Sequence, residues 1–130
     1  MVIDTSALIA ILCKEPERDR LASAIAADPV RLVSSAIFLE SAIVIESRYG
    51  ASGAMDLDLL LHTMKAQIEA VTEDQTRIGR LAYRQYGKGH HAAALNFGDC
   101  FSYALAKVSV QPLLCKGNDF SQTDLPVVSY

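Results

Sequence analysis

Val2-Ile3-Asp4-Thr5-Ser6, running on into Ala7-Leu8-Ile9-Ala10-Ile11-Leu12, decides how the chain is read. Two β-branched residues with no polar break read as a short buried strand, and Asp4 ends it at a polar turn. Thr5 or Ser6 then caps a helix that runs through Leu12. The same alternation continues outward. Glu15 to Ala27 reads as a helix, with Pro16 near its start and Asp28-Pro29 as its stop. Val30 to Val33 is a brief strand. Ser34-Ser35 caps a helix to about Tyr49, which ends at Gly50, and a further helix spans Ser52 to Gln67, with Leu57, Leu60, Leu61 and Met64 at helical spacing.

Beyond it, Ala70-Val71 is expected as a strand. Thr72 opens a helix to Tyr86, with Gln75 at capping-box distance, and Gly87 to His91 is a loop. Asn96-Phe97-Gly98-Asp99 precedes a helix to about Ser109. Pro112 to Cys115 reads as an apolar strand and Val127-Val128 as a last short one. No repeat, low-complexity segment or linker interrupts this order, so residues 1–130 are expected to form one domain. Helices alternating with short apolar strands predict an α/β fold on a mainly parallel sheet covered on both faces. Ligands of such sheets bind beyond the carboxyl ends of the strands.

Composition narrows the function. Of 130 residues, 51% are apolar and 21% charged, a globular balance, and the net charge of -3 is wrong for a protein that coats nucleic acid by neutralising phosphate. A metal ion can supply the missing positive charge, so a metal-dependent nuclease stays open. Cys13, Cys100 and Cys115 are odd in number, far apart and without a C-x-x-C pair, which reads as free thiols in a reducing cytoplasm. Met1 to Leu12 does not look like a targeting segment. No apolar run reaches the ~18 residues needed to span a membrane.

Four carboxylates carry the chemistry. Asp4 follows the first strand, and capping alone explains it equally well. Glu40 is the odd one, because Ala36, Ile37, Ile43 and Val44 surround it at helical spacing, with Phe38, Ala42 and Ile45 on the other faces. This helix is therefore expected to be largely buried, and a buried carboxylate needs a cation. Asp99 opens a helix, where it also complements the dipole. Asp119 follows the strand Leu113-Leu114-Cys115, where an Asx turn is the plain alternative. At the strand ends of a parallel sheet the four can converge. Carboxylates without His or Cys beside them suit Mg²⁺ or Mn²⁺ better than Zn²⁺.

Val2-Ile3-Asp4-Thr5-Ser6, the intrahelical Glu40, Gly98-Asp99 followed by Ala104 and Ala106, and Asn118-Asp119-Phe120 together resemble the four acidic motifs of PIN domains, in the branch of the VapC toxins of bacterial toxin–antitoxin pairs. The resemblance covers residues 2 to 120. It implies a three-layer α/β/α sandwich, one or two Mg²⁺ or Mn²⁺ ions, and endoribonuclease activity leaving 5′-phosphate and 3′-hydroxyl ends. Asp4, Glu40, Asp99 and Asp119 would be the catalytic and metal-binding acids, and Thr5 or Ser6 a hydroxyl that orients Asp4 or a water. Many members carry Thr and a further Asp ahead of the last Asp-Phe pair. Here the stretch is Lys116-Gly117-Asn118-Asp119, so Asn118 is expected to share the role of Asp119. The resemblance also implies a VapB-like antitoxin whose C-terminal segment fills the active-site groove, and a toxin homodimer.

Arg77, Arg80, Arg84 and Lys88 recur at helical spacing as a basic stripe that His90 and His91 extend. They are candidates for RNA phosphate contact, as is Lys116 beside Asp119. A solvated face with a Glu73–Arg77 pair is the competing reading. Tyr83, Tyr86 and Phe97 could stack on bases, with core packing preferred. His62, His90 and His91 lack the spacing of a Zn²⁺ site. No G-x-G-x-x-G or P-loop is present, and a receiver domain lacks its middle-strand Asp. A PIN-like interaction module without turnover is the non-enzymatic alternative, and the expected burial of Glu40 speaks against it.

Overall fold

The computed structural model describes all 130 residues. Four short parallel strands form the sheet: β1 (Val2–Ile3), β2 (Leu32–Ser34), β3 (Gln67–Glu69) and β4 (Leu113–Leu114), in the spatial order β3-β2-β1-β4. Val2 pairs with Leu32 on one side and Leu113 on the other, while Val33 pairs with Ile68. The helices are α1 (Thr5–Leu12), α2 (Arg18–Ala27), α3 (Ser35–Thr63), α4 (Glu73–Tyr86) and α5 (Phe97–Ser109).

Strand alternation splits the core into two. Ile3, Val33 and Leu114 point to one face and join α1, α2 and α3 through Leu8, Leu21, Ile37, Ile45 and Leu57. Val2, Leu32 and Leu113 point to the other and meet α4 and α5 through Ala82, Tyr86, Tyr103 and Leu105. Both faces of a parallel sheet must be covered because successive side chains leave on opposite sides. The result is the α/β/α sandwich expected. None of its helices is long and apolar enough to cross a membrane.

Several boundaries differ from the sequence reading, each for a local reason. Asp4, and neither Thr5 nor Ser6, is the N-cap of α1. The second helix starts at Arg18, because Lys14 takes a left-handed conformation (φ 55°) and Glu15 to Glu17 turn the chain. The third strand is Gln67–Glu69 and not Ala70-Val71. Lys65 (φ 52°) closes the preceding helix early, and the Gln67 N–H then donates to Arg31 O at 2.8 Å. Val127 makes a single bridge to Leu113 and no strand. The break expected at Gly50 lies inside α3. Its φ of 60° and ψ of -150° kink the run, and the positive φ is what favours glycine there.

The helix around Glu40 is not largely buried. Ile37, Ser41 and Ile45 face the core, but Leu39 is 61% and Ile43 58% exposed, and Glu40 is half-buried. An all-round apolar composition does not distinguish a buried helix from one that leaves an apolar face open for a partner.

Candidate metal centre

Because β1, β2 and β4 run parallel, their carboxyl ends share one edge, and the acids collect there. Asp4 leaves β1 and is tied to β4 by its N–H, which donates to Leu114 O at 3.0 Å. Its side chain is buried and fully committed. Oδ2 accepts from Ser6 N at 2.9 Å and Ser6 Oγ at 2.7 Å, and Oδ1 accepts from Ser102 Oγ at 2.6 Å. A buried carboxylate fixed at both oxygens has one orientation, with charge-assisted bonds standing in for lost water.

Glu40 reaches the same edge from α3, where the Thr5 hydroxyl donates to Oε2. Its carboxylate lies against the first turn of α5. A Cβ on Gly98 would fall within 2.7 Å of Glu40 Cδ and Oε2, so only glycine leaves room. Asp99 is the third residue of α5 and does not open it: Asn96 is the N-cap, and the two form a capping box. Asp99 N donates to Asn96 Oδ1 at 3.0 Å, and Asn96 N donates to Asp99 Oδ2 at 2.7 Å. Burial pushes the Asp99 carboxyl up to about 6, against the lowering effect of the Asn96 N–H, and the charges of Asp4, Asp119 and Glu40 raise it further. Asp99 thus lies within electrostatic reach of the other three acids.

Asp119 is exposed and precedes the 3₁₀ turn Phe120–Gln122 without a side-chain capping bond, so its carboxylate is uncommitted. Asn118 contributes its backbone carbonyl, which accepts from Ser121 Oγ at 2.6 Å, while its side chain holds none of the acids. Burial, then Asp4, Asp119 and Asp99, push the Cys115 thiol up to about 12, which leaves it protonated and poor as a soft ligand or nucleophile.

No three carboxylates are arranged as a finished coordination cage. The carboxylates are held by neighbours instead: Ser6 and Ser102 occupy Asp4, Thr5 holds Glu40, and Asn96 holds one oxygen of Asp99. The donor chemistry nevertheless fits a hard divalent cation. It is all oxygen and negatively charged in excess, and one member is held above the ordinary carboxylate range, first by burial and then by its acidic neighbours.

The basic candidates divide. Arg80 and Lys88 border a cavity between α4 and α5. Arg77 pairs with Glu73, the competing reading. Arg84 is exposed. Lys116 does not face the acids: its ammonium pairs with Glu15 and, at 3.2 Å, with Glu17, and those contacts raise it. Its backbone N–H instead donates to Ser6 Oγ at 2.9 Å, linking the segment before Asp119 to the residue that fixes Asp4. His90 Nε2 lies 3.0 Å from Tyr83 O and Arg84 O and finishes α4, while His91 Nδ1 accepts from Ala93 N at 3.1 Å. Of the aromatic candidates only Tyr86 is core; Tyr83 and Phe97 are exposed. Ser102 was missed by sequence reasoning. A serine three residues after Asp99 gives no sign that it turns inward to a carboxylate 98 residues away.

The PIN domain family model matches residues 1–125. Ribonuclease VapC of Mycolicibacterium smegmatis is 60% identical over 128 residues, which cover 98% of this chain and 99% of that protein. Among solved structures, VapC20 of Mycobacterium tuberculosis, described as a sarcin-ricin loop cleaving toxin, superposes with a TM-score of 0.81 at 19% identity, covering 99% of this chain and 98% of its own. A chain of a toxin–antitoxin complex from Klebsiella pneumoniae gives a TM-score of 0.75 at 18% identity, covering 99% and 97%. At those identities the two structures speak for the fold alone.

Proposed function

Because the chain belongs to the PIN-domain family, as a ribonuclease of the VapC toxin branch, we propose that residues 1–130 act as one domain whose hydrolytic centre is Asp4, Glu40, Asp99 and Asp119. The observation that carries this reading is the packing of Asp4 and Glu40 onto the first turns of α5, Asp4 through Ser102 and Glu40 against Gly98, the residue before Asp99. These residues would hold one or two Mg²⁺ or Mn²⁺ ions. A divalent ion supplies at such a centre an acidified water and a counter-charge for the phosphate.

The chain's own contribution is positioning. Ser6 and Ser102 hold the Asp4 carboxylate in one orientation, and Thr5 keeps Glu40 over Gly98. Ligands held by neighbours need no reorganisation when substrate arrives. Asp119, exposed and without a capping bond, is free to turn toward an ion when one is present. Arg80, Lys88 and the outer faces of Arg77 and Arg84 offer the positive charge that an RNA strand needs to approach an acidic centre. Lys116, tied to Glu15 and Glu17, is assigned no phosphate.

A VapB-like antitoxin and a second copy of the chain are the expected protein partners. The exposed Leu39, Ile43, Tyr49, Met55 and Leu59 along α3 supply apolar surface for them. The free thiols of Cys13, Cys100 and Cys115 go with a cytoplasmic setting.

The test is cleavage of single-stranded and structured RNA by purified protein in Mg²⁺ or Mn²⁺, in EDTA, and by Asp4→Asn. Cleavage by wild type that EDTA and Asp4→Asn each abolish supports the reading. Equal cleavage by wild type and Asp4→Asn overturns the role of Asp4.

A further inference from the structure

A cavity of about 490 Å³ opens between α4 and α5, and no carboxylate lines it. At its floor the helices come close: a Cβ on Gly79 would lie 3.1 Å from Cys100 O. One wall is aromatic. Phe97 and Phe101 meet edge to face with centroids 4.9 Å apart, and Phe97 keeps 80% of its surface exposed. Tyr83 borders the cavity as well, with Arg80 and Lys88 beside it.

Gln75 gives the cavity its character. The residue is only 6% exposed and lines the space. Its backbone N–H is taken by Thr72 Oγ1 at 3.2 Å, and its side-chain amide makes no hydrogen bond within the protein and keeps contact with solvent. An amide left so offers a donor and an acceptor to whatever enters. The location is equally specific. Asn96 and Phe97 line the cavity, and the next two residues are Gly98, against Glu40, and Asp99, which feels Asp4 and Asp119. The cavity and the acids thus share the first turn of α5, the cavity on the face of Phe97 and Phe101 and the acids on that of Gly98 and Asp99.

We propose that this cavity is a nucleobase subsite, an inference that rests on the ribonuclease reading for the nature of its substrate. It takes one unstacked base of the RNA strand next to the scissile phosphate. Phe97 stacks on the base, the Gln75 amide meets its hydrogen-bonding edge, and Arg80 with Lys88 holds the adjoining phosphate. Aromatic faces, a free amide and cations together are the chemistry by which single-stranded nucleic acid is gripped. A purely apolar side chain would leave Gln75 unpaired.

The test is a titration of ¹⁵N-labelled full-length protein in EDTA with AMP, GMP, CMP and UMP, against ribose 5-phosphate, followed by NMR. At least one nucleotide should shift the Gln75 side-chain amide and the Gly79 and Phe97 backbone signals saturably, while ribose 5-phosphate shifts only the surroundings of Arg80 and Lys88. Phe97→Ala, on an exposed side chain, and Gln75→Leu, which keeps the Thr72 cap, should each weaken binding about fivefold or more. In RNA cleavage both should raise KM and leave kcat near wild type. Identical shifts from nucleotides and ribose 5-phosphate, no response at Gln75, or wild-type binding by both variants would overturn the subsite. Nucleotide binding without any RNA cleavage by wild type would instead remove the ribonuclease role of the acids; cleavage without nucleotide binding removes the subsite alone.

Discussion

Asp99→Asn should make the metal-free protein more stable at neutral pH. The carboxyl is held at about 6 against an ordinary 3.8, first by burial and then by Asp4, Asp119 and Glu40. A rise of roughly two corresponds to ~3 kcal/mol between the protonation states. Asp99 keeps contact with solvent, and screening brings the usable figure to about 1–2 kcal/mol. The folded state holds the proton more tightly than the unfolded one. The penalty is therefore absent below about pH 4, grows as pH rises from about 4 to 6, and is complete above that. Asparagine removes the charge and can still accept the Asn96 N–H. It gives up a favourable charge at a helix start, a loss of ~0.5 kcal/mol. The net gain of about 1 kcal/mol is ~3–5 °C in Tm for a domain of this size. Thermal melts in EDTA should show Asp99→Asn above wild type at pH 7.5 and level with or below it at pH 3.8. Mn²⁺ should raise wild type at pH 7.5 and leave the variant nearly unmoved. Equal destabilisation at both pH values would refute the account of Asp99 as a charge under strain.

Gly98→Ala should drive the Glu40 carboxylate away from α5; RNA cleavage should fall at least about tenfold while circular dichroism stays native, and wild-type kcat would argue against Glu40. Ser102→Ala strands a buried Asp4 oxygen and should cost about 1–3 kcal/mol in denaturant unfolding; Ser102→Thr, which keeps the hydroxyl, should recover part of it. Arg80→Ala and Lys88→Ala should each reduce the salt dependence of RNA binding by about one ion, whereas Lys116→Ala should leave it unchanged, because Glu15 and Glu17 already neutralise that ammonium.

The fold was legible where patterning and position coincide. Val2-Ile3 before Asp4, and Leu113-Leu114 before Asp119, announce buried strands, and β1 and β4 do lie side by side and parallel with those acids beyond their carboxyl ends. Gln67-Ile68-Glu69 did not announce itself, since an edge strand with two polar residues carries no apolar run and is fixed by its backbone bond to Arg31. Glu40 was found for a partly mistaken reason. The apolar stripe about it belongs in part to an exposed face, and what holds the carboxylate is Thr5 and the space above Gly98. Lys116 lies close to Asp119 in sequence, but its side chain turns to Glu15 and Glu17 near the other end of the chain. Ser102 and Gln75 were out of reach for the same reason: a tertiary contact, or the lack of one, leaves no local pattern.

The central claim is met most directly by diffraction from crystals soaked in Mn²⁺, with anomalous differences collected at the manganese edge. The account predicts a peak between the carboxylates of Asp4 and Asp99, within reach of Glu40 or Asp119, and none in crystals of Asp99→Asn. A protein that takes up no Mn²⁺ there, or takes it only elsewhere while Asp4 keeps its bonds to Ser6 and Ser102, would contradict it.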